Sequence, residues 1–275
     1  MNGAADDEAF VALTSKISRD RGFGAPNYKD TCMRRRIAVR MRARGAADFD
    51  TYSRLLDSDP AEYAWLIAAL TVNVTKLFRN AETWDAVARL VLPELWALPA
   101  PRLNCWVAGC SSGEEAYTLA ALWQQFAQEK SQPGGANRVR VIASDIDAES
   151  LTLSAAGTYA DDSFSEAPAG VRERWFTQAE KAGTWAAGAE LRSMIRFERR
   201  DILQDPAPAL GLHLITCRNV IIYFDRDAQD ALLQRFRDAL VPGGYLVLGK
   251  VETLLGPSRE LFDAVDTRQR IFRRS

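Results

Sequence analysis

The spacing of apolar and polar positions predicts that the N-terminal part of the chain is helical. Phe10, Leu13 and Ile17 recur at spacings of three and four, which is typical of one face of an amphipathic helix. Asp59 is followed directly by a proline, and this pair is typical of the start of a helix. No convincing alternating stretch precedes about residue 92. The pattern therefore predicts a small all-helical domain over residues 1–92.

From Arg102 onward the pattern changes to short strand-like runs separated by helical patterns. The runs are RLNCWVA, RVRVIAS, MIRFERR, LHLITC and GYLVLG. This alternation predicts an α/β domain over residues 102–275, with a mostly parallel, Rossmann-like sheet covered by helices on both faces. Residues 93–101 are rich in proline and are expected to be the linker. The sequence of residues 157–195 predicts a loop or small hairpin, and a small insertion in the α/β domain is possible near 176–195.

Composition and charge exclude several classes of function. The chain has 275 residues, and its formal net charge of −1 favours neither nucleic acid nor an anionic membrane. No apolar run approaches the roughly 20 residues needed to span a bilayer, so we expect a cytoplasmic protein without membrane insertion. The four cysteines form no CxxC pair and are expected to be reduced thiols. The single histidine, His213, excludes a zinc site built on several histidines, and no metal is expected.

A glycine-rich turn, Gly109 to Gly113, follows the first predicted strand of the α/β part. Doubly wound sheets hold nucleosides at this turn, but its spacing is neither GxGxxG nor GxxxxGK[ST], which disfavours a dinucleotide or a triphosphate. Glu114 and Glu115 come next. Two carboxylates suit a helix N-terminus by themselves, and they also favour a positively charged ligand. S-adenosylmethionine (SAM), with a sulfonium, an ammonium group and no phosphate, is such a ligand.

The second predicted strand ends in the sequence SDID. Asp145 then lies at the carboxyl edge of the sheet, where an acidic residue accepts hydrogen bonds from ribose hydroxyls. Asp147 is the alternative for this role, although it is also a candidate N-cap of the next helix. Together with the glycine-rich turn, this motif predicts a SAM-dependent methyltransferase.

Five blocks of the sequence resemble the CheR family, the chemotaxis receptor glutamate methyltransferases. The blocks are VNVTKLFRN (72–80), WVAGCSSGEEAYTLA (106–120), ASDIDAESLTLSAAGTY (143–159), CRNVIIYFDRDAQDALLQRF (217–236) and LVPGGYLVLGKVETL (240–254). The resemblance covers most of the chain. It implies a helical domain that closes over a Rossmann-like SAM domain. It also implies methyl transfer from SAM to glutamate γ-carboxylates on the cytoplasmic helical domain of a chemoreceptor, with S-adenosylhomocysteine (SAH) as the product.

The resemblance also implies roles for individual residues. The residues expected to bind SAM are Asn73, Thr75, Arg79, Ala108, Gly109, Glu115, Asp145, Asp201, Ile202, Arg218 and Asn219. Among them, Glu115 is expected at the methionine end of SAM, and Asp201 and Ile202 beside the adenine. Arg79 and Tyr223 are expected to be catalytic, orienting the incoming carboxylate or the methyl donor.

A basic segment, residues 29–44, predicts a surface for the protein substrate. Met33, Ile37 and Met41 recur every four residues and should face the core of the helical domain, leaving the arginines largely outside. These arginines are Arg34, Arg35, Arg36, Arg40 and Arg44. The corresponding basic helix of the CheR family docks acidic methylation regions, and we expect the same here. An ordinary solvated face is the alternative, and RNA binding is disfavoured because aromatic residues are not interleaved.

Two positions depart from the pattern of the family. Ala116 stands where the family generally has proline, and Val251 replaces a serine. The second departure leaves open a catalytically weak, SAM-sensing module that binds receptors. A methyltransferase for nucleic acid or a small molecule is a further alternative, disfavoured because no NPPY-type tetrapeptide follows the fourth strand. Residues 176–195 are expected to be too short to grip the C-terminal pentapeptide of a receptor.

Overall fold

The computed structural model describes residues 3–71, 74–132 and 134–275, which fold into two units. The first unit comprises Met1–Val72 and Tyr223–Gln229. The second comprises Asn73–Ile222 and Asp230–Ser275. Among the helices within these described ranges, none has the length and apolar character needed to cross a membrane.

The first unit is built from helices, as the sequence predicts. They are α1 (Gly3–Arg21), α2 (Asp30–Arg44), α3 (Phe49–Ser58) and α4 (Pro60–Leu70). The predicted core positions are all buried, namely Phe10, Leu13, Ile17, Met33, Ile37 and Met41. Asp59 caps α4 by accepting the N–H of Ala61 at 3.1 Å, which confirms the predicted start of this helix.

Residues 223–229 belong to this helical unit although they come from the C-terminal half of the sequence. Tyr28 and Phe224 form an antiparallel bridge, and their rings pack edge to face with centroids 4.9 Å apart. The N–H of Lys29 donates to the carbonyl of Tyr223 at 2.9 Å. These contacts attach Tyr223 to the chain just before α2.

In its described residues, the second unit contains two β-sheets. The strands are β1 (Leu103–Ala108), β2 (Val139–Asp145), β3 (Thr158–Ala160), β4 (Phe176–Gln178), β5 (Thr184–Ala187), β6 (Ile195–Arg199), β7 (Leu212–Cys217), β8 (Leu240–Leu248), β9 (Phe262–Asp266) and β10 (Ile271–Arg274). The larger sheet has seven strands in the order β6-β2-β1-β7-β8-β10-β9. Its first five strands run parallel to one another, and β10 is antiparallel to both β8 and β9.

This topology confirms the predicted mostly parallel sheet and fixes where a ligand can bind. The chain moves from β1 to β2 and β6 on one side, and later places β7 and β8 on the other side. The switch point therefore lies at the carboxyl ends of β1 and β7. Doubly wound sheets bind their ligands in the crevice at that place.

The helices of the second unit include a pair that sequence analysis assigned differently. They are α5 (Ala81–Ala86), α6 (Leu92–Ala97), α7 (Glu114–Glu129), α8 (Ala148–Ala156), α9 (Val171–Trp175) and α10 (Ala189–Arg192), and the last helix of the chain is α11 (Arg226–Ala239). From the sequence, α5 was expected in the N-terminal domain and residues 93–101 were expected to be a linker. Instead, α5 and α6 are joined by a π-helical turn, Val87–Val91, and pack in the core of the second unit.

Two physical reasons explain this difference. Four apolar side chains of the stretch are fully buried, namely Val87, Val91, Leu92 and Leu95. In addition, Pro93 lies in the first turn of α6, where a missing N–H is tolerated, so the proline does not interrupt the helical path.

Residues 157–195 are more ordered than the sequence predicts. Strands β4 and β5 form the expected hairpin, and β3 adds a third antiparallel strand in the order β3-β5-β4. Tyr159, Phe164, Trp175 and Phe176, which lie in or next to these strands, are buried and join the core of the second unit. These four aromatic side chains fix a segment whose Gly- and Ala-rich part carries little pattern of its own.

Candidate cofactor-binding and catalytic site

The glycine-rich turn begins at the carboxyl end of β1. The N–H groups of Gly109 and Cys110 both donate to the carbonyl of Ser144, at 2.8 and 2.9 Å, which draws the turn against the end of β2. Gly109 has φ 77°, and a Cβ at this position would lie 2.6 Å from Cγ2 of Val220. Glycine is therefore required twice over, by its backbone conformation and by the close approach of the loop after β7.

Glu115, in the first turn of α7, is held by side chains from the end of β7. Its carboxylate accepts the hydroxyl of Thr216 at 2.6 Å and the guanidinium of Arg218 at 3.2 Å. The side chain of Arg218 is only 1% exposed. The structure thus brings together Glu115 and Arg218, which were both predicted to bind the cofactor. The guanidinium of Arg218 donates a hydrogen bond to the carboxylate of Glu115.

Arg218 also fixes the turn that contains Arg79. It donates to the carbonyl of Arg79 at 2.8 Å and to the side-chain oxygen of Asn80 at 3.0 Å. Its guanidinium lies 4.9 Å from the centroid of the Trp84 ring, and the indole N–H of Trp84 donates to the same Arg79 carbonyl at 3.1 Å. Arg218 therefore connects Glu115 with the backbone of a predicted catalytic residue.

The backbone around Arg79 is in an unusual conformation. Phe78 and Asn80 have φ values of 57° and 59°, a region that side-chain-bearing residues rarely adopt. The N–H of Phe78 donates to the hydroxyl of Thr118 at 2.9 Å, and the N–H of Asn80 donates to Glu166 at 2.7 Å. Strained residues held by surrounding contacts in this way cluster at functional sites.

Other predicted contacts of this segment are partly described. The guanidinium of Arg79 is half-buried and donates to the carbonyl of Val74 at 2.8 Å. Thr75 is half-buried, and Ala108 is buried at the end of β1. Asn73 lies outside the described residues.

Asp145 and Asp147 have different surroundings. Asp145 is buried at the end of β2 and accepts the N–H groups of Ser111 and Asp147, at 2.7 and 3.0 Å. Asp147 accepts the N–H of Glu149 at 3.0 Å and the hydroxyl of Ser150 at 2.9 Å, as the N-cap of α8. The carboxylate of Asp145 is therefore the one attached to the glycine-rich turn.

Asp201 and Ile202 follow β6, the neighbour of β2. Asp201 accepts the N–H of Leu203 at 2.8 Å, and its own N–H donates to Asp205 at 2.9 Å, which closes a local turn. Ile202 is buried. The turn follows the strand that pairs with β2, the strand that ends in Asp145.

Glu114 completes an acidic group at this edge. Its carboxylate is buried and accepts the hydroxyl of Ser112 at 2.8 Å. Burial raises the pKa of Glu114, and burial also raises the pKa of Asp145 although N–H groups of the backbone oppose the effect. In the described ranges, Glu115 forms the one ion pair among these three carboxylates.

This set of side chains fits SAM. Three carboxylates with a single paired cation suit a ligand that carries positive charge, and Asp145 can accept hydrogen bonds from ribose hydroxyls. Within the described part of the chain, no group of three or more His, Cys, Asp or Glu side chains is arranged to hold a metal ion.

Glu252, which lies just after β8, was not among the residues predicted from the sequence. Its carboxylate is 2% exposed and accepts four main-chain N–H groups, at 2.5 Å from Gly249, 2.9 Å from Asn219, 2.8 Å from Val220 and 3.4 Å from Ile222. Asn219 is another residue in the left-handed region, with φ 61°. The available signal was an isolated acidic residue soon after an apolar strand.

Tyr223, the second predicted catalytic residue, lies in the helical unit. The guanidinium of Arg36 stands 4.6 Å from the centroid of its ring, within the range of a cation–π contact. Arg36 also donates to the carbonyl of Leu70. Arg36 is therefore a neighbour of Tyr223 as well as a member of the basic segment.

The basic segment is less exposed than its sequence pattern predicts. Arg34 pairs with Asp6 and Asp7 at 3.0 and 2.6 Å, and Arg40 makes two hydrogen bonds to Glu62 at 2.9 and 2.7 Å. The expectation that the arginines lie largely outside is wrong for Arg34, Arg36 and Arg40, which are half-buried. Neighbouring helices supply acidic or carbonyl partners that a single helix pattern does not reveal.

Two of the five predicted docking arginines are exposed. Arg35 projects from α2, and Arg44 is exposed at its end although it contacts Asp59 at 2.8 Å. These two guanidinium groups are the ones most available to another molecule.

Comparison with known proteins follows the division seen in the fold. Residues 8–71 match the all-alpha domain of the CheR methyltransferases, and residues 73–271 match their SAM-binding domain. A chemotaxis protein methyltransferase of Listeria monocytogenes is 32% identical over 252 residues, which is 92% of each chain. One of Klebsiella aerogenes is 30% identical over 261 residues, covering 93% of this chain and 87% of the other.

A longer protein contains a similar region. An uncharacterized 104.1 kDa protein of Rhodobacter capsulatus is 35% identical over 273 residues, which is 98% of this chain but 28% of that protein. The chain thus covers less than a third of that relative. The two domain matches and the parallel sheet with its acidic carboxyl edge show that this chain belongs to the CheR methyltransferase family.

Proposed function

We propose that this chain transfers a methyl group from SAM to glutamate γ-carboxylates on the cytoplasmic helical domain of a chemoreceptor. The observation that carries the proposal is the acidic carboxyl edge of the sheet, where Glu114, Glu115 and Asp145 surround the glycine-rich turn. Relatives named chemotaxis protein methyltransferases, similar over most of their length, support the class of substrate.

The chemistry needs positioning more than proton transfer. When bound, SAM supplies an electrophilic methyl group on a sulfonium. A glutamate side chain has a reference pKa near 4.3, so at pH 7 it is already ionised and requires no general base. Correct alignment of the reacting groups can contribute on the order of 7 to 11 kcal/mol. The only histidine agrees with this mechanism, because its Nδ1 accepts the N–H of Asn104 at 3.2 Å within the fold.

The proposed cofactor contacts divide between charge and shape. Glu114 and Glu115 complement the positive charge of SAM, and Asp145 accepts its ribose hydroxyls. The turn at Asp201 and Ile202 borders the adenine. Thr75, Asn73 and the backbone at Ala108, Gly109 and Asn219 complete the set.

Arg79 and Tyr223 are the proposed catalytic residues. The strained, well-anchored turn at Asn80 presents the Arg79 side chain, and the contact with Arg36 fixes the ring of Tyr223. We propose that both side chains orient the incoming carboxylate or the methyl donor. Arg79→Ala and Tyr223→Phe are expected to slow turnover while SAH still binds, and unchanged turnover in either variant would remove that residue from catalysis.

The structure offers nothing in favour of a SAM-sensing module that has lost catalysis. Val251, which replaces a serine of the family, is 72% exposed, so the substitution removes no buried hydrogen-bonding group. Glu252, the next residue, keeps its four N–H partners. The altered segment therefore retains the contacts that shape the loop.

The decisive test is transfer of radiolabelled methyl groups from SAM to chemoreceptor cytoplasmic domains. A glutamyl methyl ester releases methanol in mild base, whereas an N-methyl product does not. The control substrate is the same domain with its glutamates replaced by alanine. Label that resists base, or transfer to the control substrate at the same rate, would contradict the proposal.

A further inference from the structure

The most unusual buried group outside the proposed cofactor contacts is the carboxylate of Glu252. One oxygen accepts the N–H groups of Gly249 and Asn219, and the other accepts those of Val220 and Ile222. Among the described residues its partners are main-chain amides, and it forms no ion pair. A carboxylate so deeply buried persists only when hydrogen bonds compensate for its lost hydration.

The four amides belong to two chain segments. Gly249 follows β8, while Asn219, Val220 and Ile222 follow β7. By accepting these four N–H groups, the carboxylate binds the segment after β7 to the segment after β8. Asn219 has a left-handed backbone conformation, and its N–H group is one of the four that donate to Glu252.

We call the Glu252 carboxylate and its four N–H donors the clamp. Val220, one of these donors, connects the clamp to the glycine-rich turn. A Cβ at Gly109 would lie 2.6 Å from Cγ2 of Val220, so the space beside the turn is too small for a side chain at this position. A shift of Val220 therefore changes the space available to the turn. The clamped residues also lead directly into Tyr223.

We propose that Glu252 is a positioning residue of the methyltransferase site. It holds the main chain of residues 219–222 in one conformation, and through Val220 it sets the shape of the turn at Gly109. Its carboxylate is buried and occupied by main-chain N–H groups, so we assign it no direct contact with SAM or the receptor. This inference rests on the proposed function for its meaning, but the hold of Glu252 on the loop can be measured separately.

Two substitutions disturb the clamp in different ways. Glu252→Gln keeps the shape of the side chain but removes its charge. The NH2 group of glutamine is a donor, so it cannot accept hydrogen bonds from the main-chain N–H groups that one carboxylate oxygen now accepts. Gly249→Ala keeps the carboxylate, but the new Cβ would lie 2.7 Å from both the Asn219 nitrogen and a carboxylate oxygen of Glu252. The matched control is Tyr245→Phe, which removes a 2.6 Å hydrogen bond from β8 to Glu94 without touching the loop.

The experiment measures SAH affinity by calorimetry, thermal unfolding, and amide hydrogen exchange at Val220 and Ile222. E252Q and G249A are expected to lose about tenfold in SAH affinity while folded, because residues 219–222 are no longer held in the conformation that shapes the turn at Gly109. Exchange at both amides should become faster. Y245F is expected to unfold at a lower temperature with SAH affinity unchanged. Glu252→Asp, which keeps the charge, should recover part of the affinity.

The outcomes separate this inference from the proposed function. If folded E252Q and G249A bind SAH as tightly as the wild type, with unchanged amide exchange, Glu252 is not a positioning residue. If E252Q does not fold, G249A and E252D decide the question. If the wild-type chain binds no SAH, the proposed function fails, and the exchange rates still show whether Glu252 holds the loop.

Discussion

Arg218 and Glu115 form an ion pair at 3.2 Å that joins the end of β7 to the start of α7. Because the guanidinium is almost completely buried, removing it leaves a carboxylate without its partner charge. Arg218→Met is expected to lower the free energy of unfolding by about 3 to 5 kcal/mol. Arg218→Lys keeps the charge but loses the planar fork that also reaches Arg79 and Asn80, so an intermediate loss is expected. Urea unfolding checks both values, and wild-type stability of R218M would contradict the role of the pair.

The buried carboxylate of Glu114 predicts how SAM binding depends on pH. Its folded-state pKa is raised above the ordinary 4.5, so the stability that its protonated form provides is present at low pH and is lost as pH rises through the folded pKa. Binding of a cation favours the ionised form instead. SAM affinity should therefore weaken as pH falls, beginning above pH 4.5.

Glu114→Gln tests this dependence. The variant should be at least as stable as the wild type at pH 7, because it no longer has to keep a charge buried, and its SAM affinity should vary less with pH. Calorimetric titrations between pH 5 and pH 8 measure the effect, with ionic strength held constant. A pH profile of E114Q that follows the wild-type profile would exclude Glu114 as the source.

Asp145 and Asp147 are expected to respond differently to substitution. Asp147→Ala removes the N-cap of α8 and should cost about 1 kcal/mol of stability, with little change in SAH affinity. Asp145→Asn removes a charged acceptor of ribose hydroxyls and should weaken SAH binding by about tenfold or more. Calorimetry and thermal unfolding of both variants separate the two roles. Equal losses of SAH affinity would contradict the assignment of the ribose contact to Asp145 alone.

The arginines of α2 are expected to separate into docking and structural groups. Arg40→Ala removes two hydrogen bonds from Glu62, which is 0% exposed, and leaves the more distant Arg44 at 3.7 Å as its neighbouring cation. This loss should destabilise the chain by about 1.5 to 3 kcal/mol. Arg35 is exposed, so Arg35→Ala should change stability by less than about 0.5 kcal/mol. R35A should methylate receptor domains more slowly, most clearly at low salt. A wild-type rate for R35A at low salt would argue against docking through this residue.

Local patterns in the sequence predicted much of the fold. The runs that became β1, β2, β6, β7 and β8 were recognised because each is a short apolar strand between helical patterns. The capped start of α4 and the apolar stripe of α1 were equally local. Glu115 and Asp145 were placed at the same edge because the carboxyl ends of neighbouring parallel strands meet there.

The rest depended on contacts between distant segments. Arg218 was expected to reach the cofactor, yet its partners come from the turn at Arg79 and from Glu115, far away in the sequence. Glu252 accepts main-chain N–H groups of a loop that precedes it by about thirty residues, and no local spacing in the sequence indicates such a contact. The helices before β1 were misassigned because their prolines are visible in the sequence and indicate a linker, whereas the burial of their leucines and valines is visible only in the structure.

The membership of Tyr223–Gln229 in the helical unit limits how this family can exchange parts. If only the first 72 residues were replaced by those of a relative, the contacts of Tyr28 and Lys29 with Tyr223 and Phe224 would have to form between segments of two different proteins. Hybrid enzymes should keep their activity only when both pieces come from the same parent. Mutations in the two pieces are therefore expected to compensate one another during evolution.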